Sequence, residues 1–125
     1  MILYEAEITE VGSLVEEAYK DGYIITFIDG PFKDFMDYCL SLEEIKNEAG
    51  EIKCGDKILL DDNIFVIKGI GNKALENLKE LGHVTIKFSG KKEVDNPGDI
   101  NVSKVNNNFD IKMVKKFIIS NDIQV

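Results

Sequence analysis

A mainly β domain, a small barrel or a folded-over sheet with one firm short helix, is what this 125-residue sequence predicts. Three observations lead there. Several short segments either alternate apolar and polar residues or concentrate β-branched and aromatic ones, and turn-forming clusters separate them. Only residues 73–81 carry a full set of helix signals, with room for one or two further helices elsewhere. A chain of this length has one core to carry both stability and function, so residues 1–125 are read as a single domain.

The first strand starts at Ile2, where Ile2, Tyr4, Ala6 and Ile8 alternate with Leu3, Glu5, Glu7 and Thr9. Ser13 and Glu16 have the spacing of a capping box, which would open a short helix carrying Leu14, Val15, Ala18 and Tyr19 and closed by Gly22. Tyr23 to Ile28 reads as a second strand, ended by the turn residues Asp29-Gly30-Pro31. Phe32, Phe35, Met36, Cys39 and Leu40 then fall at i, i+3, i+4, i+7 and i+8, the spacing of an amphipathic helix with proline in its first turn. Residues 41–52 are charged and irregular, and suit a surface connection or a weakly signalled strand.

Lys57–Leu60 and Ile64–Lys68 flank Asp61-Asp62-Asn63 and predict a hairpin. Asn72 is placed to cap a helix that lines up Ala74, Leu75, Leu78 and Leu81, and Gly82 stands where a left-handed C-cap belongs. From His83 to Phe88 the period becomes two, with Val84, Ile86 and Phe88 on one side and His83, Thr85 and Lys87 on the other. Asn96-Pro97-Gly98 is a turn, Ile100 to Val105 a strand, and Asn106-Asn107-Asn108 another turn. The apolar tail from Phe109 to Ile119 fits either strand or helix.

Fifteen Lys and Arg against 23 Asp and Glu leave a net charge of −8, which repels a phosphodiester backbone and argues against nucleic-acid binding. Neither an export signal nor a spanning segment is expected, because MILYEAEITE places acids where a basic, apolar leader would start. Cys39 and Cys54, without a Cys/His cluster, point to no metal or disulfide and to two reduced, buried thiols in a cytoplasmic protein. No cofactor is called for.

Gly69-Ile70-Gly71-Asn72-Lys73-Ala74 matches Gly-x-Gly-x-x-Ala, yet the chain lacks repeated βαβ units, so these glycines are read as a tight approach into a helix. The carboxylate pairs Asp61-Asp62 and Glu43-Glu44 read as solvated turn and surface charges, and Cys39 as an unreactive thiol beside acids. His83 is the only histidine, so any histidine chemistry belongs to it. Alternation puts Thr85 and Lys87 on its side of the strand at about 7 Å per residue pair, which makes them candidate phosphate-binding groups. The same histidine also suits a structural role, bonded to backbone at the helix-to-strand junction.

The stretch GDKILLDDNIFVIKGIGNKALENLKELGHVTIKFSG, residues 55–90, resembles the glucitol/sorbitol-specific enzyme IIA proteins of the bacterial sugar phosphotransferase system, as do ITFIDGPFKDFMDYC at residues 25–39 and Asn96-Pro97-Gly98. The resemblance implies a small cytoplasmic β-barrel protein, peripheral to the membrane at most. It would take phosphate from the histidine-containing phosphocarrier protein and pass it to a sorbitol permease. In that family the phosphorylated histidine follows a Tyr-Cys pair within a few residues, whereas Tyr38-Cys39 here precedes Leu40-Ser41-Leu42-Glu43-Glu44. His83 matches the family's Glu-Leu-Gly-His motif, a position known there as a motif residue. Three readings follow: a phosphocarrier that uses His83, a non-phosphorylatable relative with a regulatory or binding role, and an unrelated small enzyme.

Overall fold

A computed structural model describes residues 1–30, 36–104 and 109–122. Eight strands close into a barrel: β1 (Ile2–Val11), β2 (Tyr23–Ile28), β3 (Cys39–Asn47), β4 (Lys57–Leu60), β5 (Asn63–Ile70), β6 (Val84–Lys87), β7 (Asp99–Val102) and β8 (Lys116–Ser120). Around the wall they run β1-β3-β2-β6-β7-β5-β4-β8 and back to β1, antiparallel except for the parallel pairs β2–β3 and β6–β7. Among the described residues two further elements of more than one turn are helical, α1 (Val15–Lys20) and α2 (Ala74–Leu81), and Val15, Ala74 and Leu78 pack into the core cluster. Closure gives each of the eight described strands two neighbours, so none of them is an edge strand.

Tyr4, Ala6, Ile24, Leu40, Leu42, Leu60, Ile86, Ile100 and Phe117 are among the residues that fill the core. The Tyr4 and Phe117 rings meet edge to face at 5.8 Å. The predicted hairpin forms, with a two-residue turn in which Asp61 takes a positive φ of 53° and its carboxylate accepts from the Lys115 and Lys116 amides. Asn63 begins β5 rather than ending the turn.

Several expectations are corrected. Cys39 and Leu40 belong to β3 and not to a helix; the rest of that proposed helix falls mostly outside the described residues, as does the turn at 106–108. Of the two readings of residues 41–52, the strand holds for 41–47. Their signal was hidden because Cys39 through Leu42 are buried on both faces, so alternation is lost. Just beyond the β1–β3 pairing the Gly12 amide bonds Cys39 O, and a side chain at Gly12 would collide with the Met36 and Asp37 carbonyls.

Neither predicted N-cap forms. Leu14 precedes α1 and Lys73 precedes α2, each without a side-chain bond, and backbone oxygens hold amides that the predicted caps would take: Val15 N–H on Gly12 O, Ala74 N–H on Gly71 O. Leu81 is exposed, at the outer edge of the α2 face that buries Ala74 and Leu78. Gly82 is the left-handed cap of α2, as its position predicts. The tail divides into a 3-10 turn at Ile111–Met113 and β8. Gly69 and Gly71 serve close packing: side chains there would strike the Lys92 and Pro97 carbonyls, and the Gly71 amide is committed to Asp99 O.

Candidate functional site

His83 stands where α2 turns into β6. Gly82 makes the bend with φ 59°, and buried Thr26 on β2 grips both residues: its hydroxyl donates to Gly82 O at 2.8 Å, and its carbonyl lies 3.1 Å from His83 Nδ1. The His83 amide reaches back to Asn77 O at 3.3 Å. Because a carbonyl oxygen only accepts, Nδ1 carries the ring proton, and in the neutral ring the lone pair sits on Nε2.

The register explains what surrounds the ring. Ile25 pairs with Thr85 on β6 and with Cys39 on β3, so the outward side chains of three strands converge there. A pocket of about 390 Å³ results, lined by Ile25, Phe27, Tyr38, Cys39 and His83. The Phe27 and His83 rings are 5.0 Å apart and tilted by 43°. Apart from the imidazole, the described side chains of the lining offer only the Tyr38 hydroxyl and the Cys39 thiol as polar groups. Burial pushes that thiol up to about 11, the reverse of an activated nucleophile, and burial rather than neighbouring acids is the cause. Cys54, expected to be buried, is exposed in the turn before β4.

Thr85 and Lys87 share the outward side of β6 with His83, but neither lines its pocket. The Lys87 ammonium is 2.9 Å from Asp99 and 3.5 Å from Asp95. The Asp99 hydrogen bond, helped by both negative charges, holds it above its usual range. Lys87 is thus occupied. The positions after Tyr38-Cys39 turn inward or become covered, Leu40 and Leu42 at 0% exposure and Ser41 at 1%.

Beyond Phe27, a cavity of about 490 Å³ is lined by Ile28, Asp29, Leu42, Glu43 and Glu44. Glu44 is not the freely solvated charge its sequence context suggests, because it is half-buried and accepts a 2.5 Å hydrogen bond from the buried Tyr4 hydroxyl. A polar cavity of about 550 Å³ at Met1, Glu48, Glu51, Lys53, Asp56 and Lys79 contains none of the sequence-predicted site residues. Among the described residues no cluster of three metal-ligating side chains occurs, and no helix is long and apolar enough to cross a membrane.

Sequence reasoning found His83 but missed Thr26, Phe27 and Tyr38. Period two puts Ile25 and Phe27 on one face of β2, but nothing local says that this face meets His83 across β6.

Comparison with known proteins places this architecture. Residues 3–117 match the family described as the PTS system glucitol/sorbitol-specific IIA component. Proteins named as that component from Shigella flexneri and Escherichia coli are each 33% identical to this chain over 104 residues, covering 82% of both chains. The crystal structure of a PTS system IIA component from Enterococcus faecalis superimposes with a TM-score of 0.67 over 91% of this chain and 96% of that one, at 16% identity, and so shares the fold. By the family match and the extent of identity with these relatives, the chain belongs to the glucitol/sorbitol-specific IIA component family of the phosphotransferase system.

Proposed function

We propose that this chain works as a sorbitol-type IIA phosphocarrier that takes phosphate from the histidine-containing phosphocarrier protein onto Nε2 of His83 and hands it to a permease. The supporting observation is the bond from Nδ1 to the Thr26 carbonyl, which fixes the ring and leaves the other nitrogen as the nucleophile. In the transfer the Nε2 lone pair attacks phosphorus, and a new N–P bond forms as the donor's N–P bond breaks. The released electron pair returns to the donor ring, and the His83 proton stays on Nδ1.

Apolar side chains around the ring limit water near the phosphoramidate. Lys87 is paired to Asp99 and Asp95, and no lysine or arginine is among the described residues lining the pocket, so a docked partner is a source of positive charge facing the phosphoryl oxygens. A second reading has one observation in its favour: the residues following Tyr38-Cys39 are buried Leu40, Ser41 and Leu42, where the family resemblance looks for the acceptor. On that reading the protein binds relay partners without carrying phosphate.

Incubation with phosphoenolpyruvate and the upstream phosphotransferase proteins, followed by intact mass measurement at alkaline pH, separates the two. The expected result is one acid-labile phosphate per chain, absent in His83→Ala. No adduct on the folded protein would overturn the carrier reading and leave the binding one.

A further inference from the structure

We propose that Tyr4, Glu44 and Asn47 are positioning residues that fix the ring of His83 by clamping the end of α2 onto the barrel. The Tyr4 hydroxyl, from β1 inside the barrel, donates to Glu44 Oε2 at 2.5 Å. Asn47 Nδ2 lies 3.2 and 3.3 Å from the two Glu44 oxygens and donates to the Lys79 carbonyl at 2.9 Å. Lys79 belongs to the last turn of α2, three residues before the Gly82 cap, so the chain of bonds runs from barrel interior to helix end.

The geometry at Gly82 tightens the link. A Cβ there would lie 3.2 Å from the Ile28 amide nitrogen, 3.3 Å from Tyr4 Oη and 3.4 Å from Glu44 Oε2, so the bend is seated directly on this network. From the other side Thr26 holds Gly82 O and His83 Nδ1. A carbonyl of an exposed last helical turn is ordinarily left to water, yet here a side chain of β3 takes one. Two grips therefore meet at the two residues that orient the ring. If the Asn47 grip is released, α2 can shift as a body and carry with it the Gly82 and His83 amides that bond Leu78 O and Asn77 O, and the Nδ1–Thr26 bond loses its alignment.

This role rests on the carrier reading for its purpose but not for its test. The single histidine makes the ring resonances unambiguous in a ¹⁵N–¹H spectrum of the whole protein. In the wild type, at a pH where the ring is neutral, the expected pattern is a protonated Nδ1 and a bare Nε2. In Asn47→Ala and in Tyr4→Phe, which keeps the ring packed on Phe117, the pattern should move toward a mixture of tautomers. In a carrier, phosphate uptake should also slow several-fold while the upstream proteins stay saturated. Two variants are used so that one failing to fold leaves the other informative. An unchanged tautomer pattern in a folded variant overturns the positioning role, since loss of general stability alone would not move it. A wild type that takes up no phosphate while the variants change tautomer would overturn the carrier reading and leave the positioning assignment standing.

Discussion

At the scale of single residues the chemistry is decided by what each side chain touches. Cys39 and Cys54 have the same thiol and opposite settings, one 3% exposed and pushed up to about 11 by burial, the other exposed in a turn. At pH 8 a thiol at about 11 holds roughly 0.1% thiolate, against tens of percent for an unperturbed one. Iodoacetamide at that pH should add one label, on Cys54, with Cys39 modified only after denaturation; peptide mapping that found Cys39 labelled first would contradict its placement. Burial has a sign for stability as well. The unfolded chain loses the Cys39 proton near the ordinary thiol value and the folded chain only near 11, so between those limits the folded state binds more protons and stability falls as pH rises. His83 was legible from the sequence because it is unique. Its orientation was not, since that comes from the carbonyl of Thr26, 57 positions away in the chain.

Among elements, those with local signals were legible. α2 ends at Gly82 and β6 begins at Val84 because a left-handed cap and a change of period are both written within a few residues. β3 was not legible, because Cys39 to Leu42 are covered on both sides by segments distant in sequence, and tertiary cover erases the alternation that identifies a half-buried strand. The N-caps failed because the backbone itself took their place, Gly12 O and Gly71 O accepting from the Val15 and Ala74 amides.

The α2–β6 bend offers an internal control. Gly82 and Gly22 both have positive φ, 59° and 96°, but a side chain at Gly22 would meet nothing within 4 Å, whereas at Gly82 it would press on the Ile28 amide at 3.2 Å. Gly22→Ala should therefore cost about 1 kcal/mol from backbone conformation. Gly82→Ala should cost about 2 kcal/mol, the steric term outweighing the milder conformational one of φ 59°. Urea unfolding measures both as falls in midpoint at constant slope. Equal losses would mean that the bend has room to spare.

For the whole molecule, closure and charge are the properties that matter. The ring order β1-β3-β2-β6-β7-β5-β4-β8 could not be read from the chain, since neighbours such as β1 and β8 pair across more than a hundred residues and two of the pairings are parallel. That order is what brings β2, β3 and β6 side by side and so assembles the His83 pocket, with Asp29, Glu43 and Glu44 lining the adjacent cavity. A net charge of −8 makes the molecule as a whole attractive to a basic partner face, and these carboxylates concentrate the effect beside the apolar patch. The carrier reading also draws on positive charge from the partner, since no lysine or arginine is among the described residues lining the pocket. Both terms weaken as the Debye length contracts from about 30 Å at 0.01 M salt to about 10 Å at 0.1 M. Association with the histidine-containing phosphocarrier protein should therefore slow by about tenfold or more over that range, with a smaller change in dissociation, because screening acts on encounter more than on the packed apolar contact. Replacing Asp29 and Glu43 together by Asn and Gln should flatten the salt dependence, and because both lie outside the His83 pocket it should leave its apolar lining intact. Stopped-flow association at the two salt concentrations measures this directly; rates independent of salt in the unaltered protein would show that charge does not guide the encounter.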